Sequence, residues 1–324
     1  MKPLATSLTI AIVGATATGK TAVAERVAEL TGGEIVCADS RQVFAELDLG
    51  TGKPSIAERS ARPHHLFDAL TLDGRASAGW YAEASAKARN DVRSRGRVPI
   101  LVGGSGFYLR AAQEGLADEP PQDAVIRARL RQELATDGAP ALHARLAEVD
   151  PESAARIHPN DGQRVVRALE VFETSGQPLG WWHRRTAPTP LAERWRVFEL
   201  VVPPSPLNRR IRLRTASMLE HGLIDEVRGL LGGPHGDALR ALQAIGYDEA
   251  IDVIEDRISM TQARDRTNLR TRQLAKRQRT WFRHQATSVP LEALEVEADV
   301  LAETIVAMSA IDPPRSIDTP PGTA

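Results

Sequence analysis

Residues 8–30, LTIAIVGATATGKTAVAERVAEL, decide the fold of this chain. The mostly apolar run Leu8–Val13 predicts a buried strand, and Ala22–Leu30 has the composition of a helix. Between them, Gly14–Thr21 fits G-x-x-x-x-G-K-[S/T], the pattern of a phosphate-binding P-loop, and it has the strand–loop–helix context that the pattern requires. The sequence therefore predicts a loop that holds a di- or triphosphate.

The roles of the loop residues follow from the geometry of such loops. Their backbone N–H groups surround an anion at a helix N-terminus, the Lys20 ammonium adds a positive charge, and the Thr21 hydroxyl is placed to ligate Mg²⁺. We assign the whole loop to phosphate binding and Thr21 to the metal. The loop consists of Gly14, Ala15, Thr16, Ala17, Thr18, Gly19, Lys20 and Thr21.

A second apolar run bears on the reaction that the loop serves. ATP hydrolases of this fold usually place an Asp at the end of an apolar strand, where it organises the metal and the attacking water. Here Val98–Val102 is followed by Gly103-Gly104-Ser105-Gly106, which contains no carboxylate. This favours a transferase that grips a phosphate-bearing donor over a motor or switch NTPase.

The composition limits the class of protein. The chain has 324 residues, 42% of them apolar, which is enough for one large or two ordinary globular domains. Its net charge of −1 gives no global excess for nucleic acid, so any such contact must come from local clusters. The single cysteine, Cys37, excludes a disulfide framework and a multi-cysteine zinc site. We find no leader and no apolar run long enough to span a membrane, and we expect a cytoplasmic protein.

The order of the motifs predicts an α/β protein with a P-loop NTPase-like parallel sheet, flanking helices and an all-helical insertion domain. Paired prolines in the stretch from Leu116 to Asp123 break the alternation of strands and helices, and a strand-like run at Arg196–Val202 resumes it. We therefore expect a core of residues 1–117 and 194–310, carrying C-terminal basic helices, and an insertion at 118–193. The proline-rich tail, residues 311–324, is expected to be disordered.

Asp39 follows the second predicted strand and so lies at a carboxyl edge, where open α/β sheets bind ligands. In one interpretation it caps the following turn, which is a frequent use of Asp-Ser after a strand. In the other it is a general base facing the phosphate end of a donor. Its position in the sequence leaves both interpretations open.

Two basic clusters are candidates for anion binding. Residues 264–284 hold eight Lys or Arg and one acidic residue on a predicted helix, with Arg272, Lys276 and Arg279 on one face. Such a helix is either a solvated surface or a contact for phosphate or RNA backbone, and the imbalance of charge favours the contact. The second cluster, Asn208–Arg214, could reach a diphosphate from the side opposite the P-loop, since guanidinium groups match phosphate oxygens.

Seven stretches together resemble the tRNA dimethylallyltransferase family, in the family's order and at similar spacings. Several of them are long and unrelated to general P-loop patterns, so the resemblance is specific and covers the chain from about Thr9 to Arg283. The stretches are GATATGKT, DSRQVFAELDLGTGKP, HHLFD, LVGGSGFYL, RIHPNDGQRVVRALEV, IGYDEAI and RQLAKRQRTWFR.

The resemblance implies a reaction and its catalytic residues. Members transfer the dimethylallyl group of dimethylallyl diphosphate to the exocyclic amine of the adenosine 3′ of the anticodon in tRNA, with Mg²⁺ and release of diphosphate. By motif match, Asp39 is the general base, and Thr16 and Arg214 lie near the leaving diphosphate. The resemblance also implies a bacterial type without the zinc finger of eukaryotic relatives, and we expect a monomer.

Contacts to the anticodon stem-loop of tRNA are implied in the same way, with the adenine pocket lined by residues next to Asp39. The expected tRNA-binding residues are Asp39, Ser40, Arg41, Gln42, Ser105, Arg127, Gln163, Arg164, Arg167, Gln243, Gly246, Tyr247, Arg272, Lys276 and Arg279. Three alternatives remain open at this point: an isopentenyltransferase acting on free adenine nucleotides, a nucleoside or nucleotide kinase, and an RNA-binding protein whose P-loop has lost catalysis.

Overall fold

The computed structural model describes residues 7–115, 120, 122–185 and 193–309. The chain divides into two compact units, a core of residues 1–113 and 192–324 and a second unit of residues 114–191. The tail at 311–324, for which disorder is expected, lies outside the described residues.

The core is built on a six-stranded parallel sheet with the order β3-β2-β4-β1-β5-β6. The strands are β1 (Leu8–Gly14), β2 (Glu34–Cys37), β3 (His64–His65), β4 (Pro99–Gly103), β5 (Arg194–Val201) and β6 (Val289–Glu292). Every residue of β1, β2 and β4 is buried. Helices cover both faces of such a sheet, which explains why these strands are mostly apolar and do not alternate between polar and apolar residues.

Among the residues that the structure describes, ten helices belong mainly to the core. They are α1 (Lys20–Thr31), α2 (Ile56–Ser60), α3 (Ala78–Ser94), α4 (Gly106–Glu114), α10 (Pro204–Glu220), α11 (Leu223–Leu231), α12 (Gly236–Leu242), α13 (Tyr247–Ile254), α14 (Met260–Gln285) and α15 (Ala298–Ser309). The longest, α14, begins with a capping box in which Ser259 and Gln262 satisfy each other's backbone N–H groups. It buries Ala275 and Phe282 on one side and carries its charges on the other.

Arg89 of α3 is fully buried and contacts both core segments that flank the second unit in sequence. Its guanidinium donates to the carbonyl oxygen of Ala112, at the end of α4, over 3.1 Å and to the carboxylate of Glu193, next to β5, over 3.1 Å. The guanidinium also lies over the Trp195 ring, 5.0 Å from its centroid. One side chain therefore joins the two core segments that flank the second unit.

The second unit is entirely helical in its described part. Its helices are α5 (Ala124–Asp137), α6 (Ala139–Val149), α7 (Pro151–Arg156), α8 (Gly162–Ser175) and α9 (Leu179–Arg185). A separate apolar cluster, with Leu130, Leu146 and Val165 fully buried, holds α5, α6 and α8 together. We call this part of the chain the helical unit.

The expected fold class, a P-loop-like parallel sheet with flanking helices and an added helical part, is confirmed. Two edge strands, β3 and β6, were not expected from the sequence. Among the described residues, no helix combines the length and the apolar character needed to cross a bilayer.

Candidate active site

The P-loop connects β1 to α1 and contains two glycines that no other residue could replace without strain. Gly14 has φ of 140°, and a Cβ at this position would lie 2.6 Å from the carbonyl oxygen of Leu200 on β5. Gly19 caps α1 with φ of 93°. Ala17, with φ of 64°, adopts the left-handed conformation although it has a Cβ. Such conformations cluster at ligand sites, and here they turn the loop at the carboxyl edge of the sheet.

Thr16 in the loop is held from two sides by long-range hydrogen bonds. Its backbone N–H donates to Gln278 Oε1 over 2.9 Å, and its hydroxyl accepts from Arg214 Nη1 over 3.1 Å. Arg214 also donates to the carbonyl oxygen of Thr51 over 2.6 Å. Helices α10 and α14, which are distant in sequence, therefore meet at the loop.

Lys20 and Arg214 form a cationic pair at the loop, with Asp39 as the nearby carboxylate. Lys20 Nζ donates to the carbonyl oxygen of Ala15 over 2.7 Å. Burial lowers the pKa of Lys20 to about 8; the charge of Asp39 acts against this shift and that of Arg214 adds to it. Burial also lowers the pKa of Arg214, again opposed by Asp39. The three charged groups are thus close enough to influence one another's pKa.

Asp39 follows β2, and its two carboxylate oxygens have different surroundings. Its Oδ1 accepts from the backbone N–H of Arg41 over 2.9 Å, which is the turn-capping contact. Its Oδ2 accepts no hydrogen bond from the described residues. One carboxylate oxygen therefore fixes the side chain, while the other has no hydrogen-bond donor among the described residues.

Ser40, Arg41 and Gln42 extend the site along the same edge of the sheet. The N–H of Ser40 donates to Ser105 Oγ over 3.0 Å, which joins the ends of β2 and β4. Arg41 Nη2 donates to the carbonyl oxygen of Leu242 over 3.1 Å, and burial lowers the pKa of Arg41. Gln42 Nε2 donates to the carbonyl oxygens of Thr51 and Gly52 over 3.1 and 3.2 Å.

The glycines at the end of β4 and just after it have a structural role, in addition to the absence of a carboxylate in this stretch. A Cβ at Gly103 would overlap the backbone of Ala38, a Cβ at Gly104 would overlap the Gln278 amide, and a Cβ at Gly106 would overlap the Trp281 ring. The three glycines thus allow α14 and the end of β2 to approach β4 closely. Sequence reasoning missed Gln278, and the run of glycines was the one signal of a close approach there.

The segment Gln243–Asp248 is placed beside Arg41 but only partly at the surface. Gln243 is exposed and left-handed, with φ of 53°, and Gly246 caps α13 with its N–H bonded to Glu249. The expectation for Tyr247 needs correction. Its side chain is 0% exposed, and its hydroxyl donates to Glu226 Oε1 over 2.5 Å, so it supports the core and does not offer a surface for RNA.

The cations of α14 differ along the helix. Near its N-terminus, Arg266 and Arg270 are paired with carboxylates of α13, Arg270 with Asp248 at 2.8 Å. Between Arg272 and Arg279, four cations have no carboxylate partner within the described part of the chain. We call them the α14 cations: Arg272, Lys276, Arg277 and Arg279. All are exposed except Arg279, which is half-buried.

The helical unit contains the other expected tRNA contacts. Gln163 and Arg164 are exposed in the first turn of α8. Arg127 and Arg167 are half-buried and bind Glu170 Oε2, over 2.5 and 3.1 Å, while Glu170 itself is 0% exposed. The structure thus separates two surface residues from two that bind a buried carboxylate.

The residues present fit Mg²⁺ only as an ion shared with a phosphate ligand. Within the described residues, no three His, Cys, Asp or Glu side chains are grouped so that they could hold a metal. Thr21, in the first turn of α1, offers one hydroxyl oxygen beside Lys20. Mg²⁺ typically takes only one or two protein ligands and completes its shell with water and phosphate oxygens.

Comparisons with known proteins identify the family of this chain. The family model described as IPP transferase matches residues 42–285. A tRNA dimethylallyltransferase of Sorangium cellulosum is 43% identical over 279 residues, which cover 86% of this chain and 88% of the relative. One of Stenotrophomonas maltophilia is 43% identical over 285 residues, covering 85% and 89%.

Solved structures are similar as well. The tRNA isopentenylpyrophosphate transferase of Bacillus halodurans matches with a TM-score of 0.67 and 32% identity, covering 94% of this chain and 95% of the other. A eukaryotic dimethylallyltransferase acting on tRNA matches with a TM-score of 0.77 and covers 96% and 81%, but at 24% identity it supports the fold alone. The extent and identity of the matches to the family model and the bacterial relatives show that this chain belongs to the IPP transferase family.

Proposed function

We propose that this protein transfers the dimethylallyl group of dimethylallyl diphosphate to the N6 amine of the adenosine immediately 3′ of the anticodon in tRNA and releases diphosphate. Family membership supports tRNA prenylation as the activity. The observation that carries the rest is the grouping of a carboxylate, Asp39, with Lys20 of the P-loop and with Arg214 of α10, which donates to the loop residue Thr16. This grouping places a base next to cations that can bind diphosphate.

The transfer step needs a base and a stabilised leaving group. The lone pair of an exocyclic adenine amine is delocalised into the ring, so the amine is a weak nucleophile and gains from positioning. A bond forms between N6 and C1 of the dimethylallyl group, and the bond between C1 and the diphosphate oxygen breaks with its electron pair leaving on diphosphate. The N6 proton passes to Asp39, whose Oδ2 is free to accept it.

The diphosphate is held by the P-loop and by Arg214. The loop N–H groups other than that of Thr16, which donates to Gln278, act with the Lys20 ammonium and the Arg214 guanidinium to stabilise the charge that develops on the leaving group. The hydrogen bond from Arg214 to the Thr16 hydroxyl keeps both side chains at the loop. Mg²⁺, held by Thr21 and phosphate oxygens, would neutralise further negative charge when bound.

Both units offer surfaces for the tRNA. The α14 cations are suited to the phosphate backbone because no carboxylate in the described residues neutralises them. The target base must leave the stacked anticodon loop before a pocket can enclose it, and Ser40, Arg41, Gln42 and Ser105 are proposed to line that pocket. In the helical unit, an insertion that we propose to clamp the tRNA, Gln163 and Arg164 are its exposed contacts.

A transfer assay tests the proposed function. Purified protein is incubated with Mg²⁺, dimethylallyl diphosphate and an unmodified tRNA with adenosine 3′ of the anticodon, and the digested product is weighed by mass spectrometry. We expect one added isoprene unit on that adenosine and none on free AMP. Transfer to AMP alone would indicate an enzyme for free nucleotides, and ATP turnover with an acceptor would indicate a kinase.

Asp39→Asn tests the role of the base. We expect a transfer rate lower by about 10²-fold or more, because the amide cannot accept the N6 proton, with unchanged affinity for dimethylallyl diphosphate and tRNA. Asp237→Asn, which changes an exposed aspartate on α12, is the matched control. If the Asp39 variant turned over at the wild-type rate, Asp39 would not be the general base.

The assembly and the location of the enzyme belong to the same proposal. We propose that it acts as a monomer in the cytoplasm. Sedimentation of the purified chain with and without tRNA measures the first property, and fractionation of the source cells measures the second. A concentration-dependent dimer that retains activity would replace the monomer.

A further inference from the structure

Gln278 joins α14 to the P-loop through both atoms of its side-chain amide. Its Oε1 accepts from the N–H of Thr16 over 2.9 Å, and its Nε2 donates to the carbonyl oxygen of Gly104 over 3.0 Å. The amide lies so close to β4 that a Cβ at Gly104 would overlap it. The amide is therefore fixed by one donor and one acceptor, and a substitution would leave both of these backbone groups without their partner.

The helix that provides Gln278 also carries the α14 cations. Lys276, Arg277 and Arg279 are its close neighbours in sequence, and they have no carboxylate partner in the described residues. Thr16, on the other side, receives the hydrogen bond from Arg214. The contacts from Gln278 to Thr16 and from Thr16 to Arg214 thus connect the proposed RNA-binding surface with the proposed diphosphate-binding site.

We propose that Gln278 is a positioning residue that fixes the conformation of the first half of the P-loop through the backbone of Thr16. The position of α14 against the P-loop thereby controls the affinity for the diphosphate donor. This inference rests on the proposed function. Gln278 acts through Thr16, because its amide is engaged by the protein on both sides. Thr16 in turn sets where the Arg214 guanidinium and the loop N–H groups point.

Two variants disturb this link from opposite sides. Gln278→Met removes the amide and keeps the length of the side chain. Gly104→Ala adds a methyl group that clashes with the amide and leaves Gln278 itself unchanged. The matched controls are Gln273→Met, on an exposed position of the same helix, and Gly229→Ala, a helical glycine with nothing within 4 Å of an added Cβ.

The readouts separate positioning from RNA contact. In steady-state transfer, we expect the KM for dimethylallyl diphosphate to rise about tenfold in Gln278→Met and Gly104→Ala, while the Kd for tRNA stays within about twofold of wild type. An unchanged donor KM in both variants, or a weaker tRNA Kd at unchanged donor KM, would overturn the inference. Calorimetric binding of inorganic diphosphate gives the same comparison without transfer, so a wild-type chain that fails to prenylate tRNA would refute only the proposed function.

A second observation, independent of Gln278, concerns Phe107. All Trp, Tyr and Phe residues of the chain lie in the described part, and Phe107 is the one that is exposed, at 51%. It lies in the first turn of α4, two residues after Ser105, and the Arg110 guanidinium lies 5.4 Å from its ring centroid. Arg110 also donates to Gln285 over 3.4 Å, so this part of α4 adjoins the end of α14.

We infer that the Phe107 ring is a stacking surface for an anticodon-loop nucleobase other than the target adenosine. Unstacked RNA bases bind aromatic faces and guanidinium planes, and the nearby α14 cations suit the backbone of the same loop. Ser105 links this surface to the turn at Asp39, because its hydroxyl accepts from the N–H of Ser40. The inference rests on tRNA as the acceptor.

An aromatic replacement distinguishes stacking from general packing. We expect Phe107→Ala to raise the KM for tRNA about fivefold or more, Phe107→Trp to retain the wild-type value, and the donor KM to stay unchanged in both. Val300→Ala, at another exposed apolar position, is the control. A 2-aminopurine probe placed at each loop position should show quenching by wild type at a non-target base; equal tRNA KM values for wild type and Phe107→Ala would refute the inference.

Discussion

The arginines of the helical unit and the α14 cations differ in their partners. In the helical unit, Arg127 and Arg167 bind the buried Glu170, and Arg129 and Arg145 bind Glu173. The α14 cations have no such carboxylates in the described residues. Both regions are rich in positive charge in the sequence, but these four arginines of the helical unit are bound to carboxylates, whereas within the described part of the chain the α14 cations are not.

The comparison teaches that partners decide the role of a basic residue. A guanidinium bound to a buried carboxylate stabilises its surroundings, and losing either group leaves an uncompensated charge. An unpaired surface cation adds little to stability but can release counterions from a nucleic acid. Substitutions in the two regions should therefore affect different measurements.

The largest effect is expected for Glu170→Gln in the helical unit. The change leaves Arg127 and Arg167 without their carboxylate, and breaking such a buried pair typically costs about 3 kcal/mol of the free energy of unfolding. Hydrogen exchange of the α5 and α8 amides in the full chain measures the loss. Glu148→Gln, at an exposed position of α6, is the control, and equal exchange in both variants would mean that the pairs do not stabilise the unit.

The next effect concerns tRNA affinity. The double variant Arg272→Gln, Arg279→Gln should weaken tRNA binding on the order of tenfold and reduce the slope of log K against log salt by about 2, because roughly 0.9 counterion is released per phosphate contact. The double variant Arg129→Gln, Arg145→Gln removes two paired arginines as the control. Equal salt slopes in the two variants would erase the distinction between the regions.

Lys20 is a third kind of cation, half-buried and close to a carboxylate, and it should respond to pH. Its pKa is lowered to about 8, so the free enzyme loses this charge as the pH rises through that value. A bound diphosphate favours the charged form, so donor affinity should fall above pH 8 by up to about tenfold per pH unit. Lys20→Arg, which stays protonated, should bind the donor with a flatter profile. A wild-type affinity that is constant from pH 7 to about 9.5 would contradict this assignment.

The smallest effect is expected for Arg272→Gln on stability. The side chain is exposed and has no ion-pair partner in the described residues, so the free energy of unfolding should change by less than about 0.5 kcal/mol. Urea unfolding of the variant beside wild type measures it. A loss similar to that of Glu170→Gln would show that the α14 cations stabilise the core.

The parts of the fold that were predictable have strong local signals. The P-loop pattern and the apolar runs of β1, β2 and β4 predicted the centre of the sheet, because buried parallel strands are recognisable from their composition. The edge strands β3 and β6 gave no such signal, since they are short and partly exposed.

The unpredicted parts of the site depend on tertiary contacts. The spacing of charges on α14 drew attention to its cations, whereas the neutral Gln278 gains its role only because Gly104 lets the helix approach β4. Burial of Tyr247 was missed for a similar reason, because its partner Glu226 lies on another helix. The basic cluster Asn208–Arg214 was recognised from its charge, but family resemblance was needed to select Arg214, whose bond to Thr16 spans 198 residues of sequence.

The pairing of β1 with β5 has a consequence for synthesis of the chain on the ribosome. Leu8 pairs with Arg194 and Gly14 with Leu200, so one edge of the central strand has no partner until translation has passed the helical unit. At about 5–20 residues per second, this interval lasts on the order of 10–40 s. The helical unit, whose contacts are more local in sequence, can fold within that time. Until β5 is made, the unpaired edge of β1 is exposed to incorrect pairing with other strands.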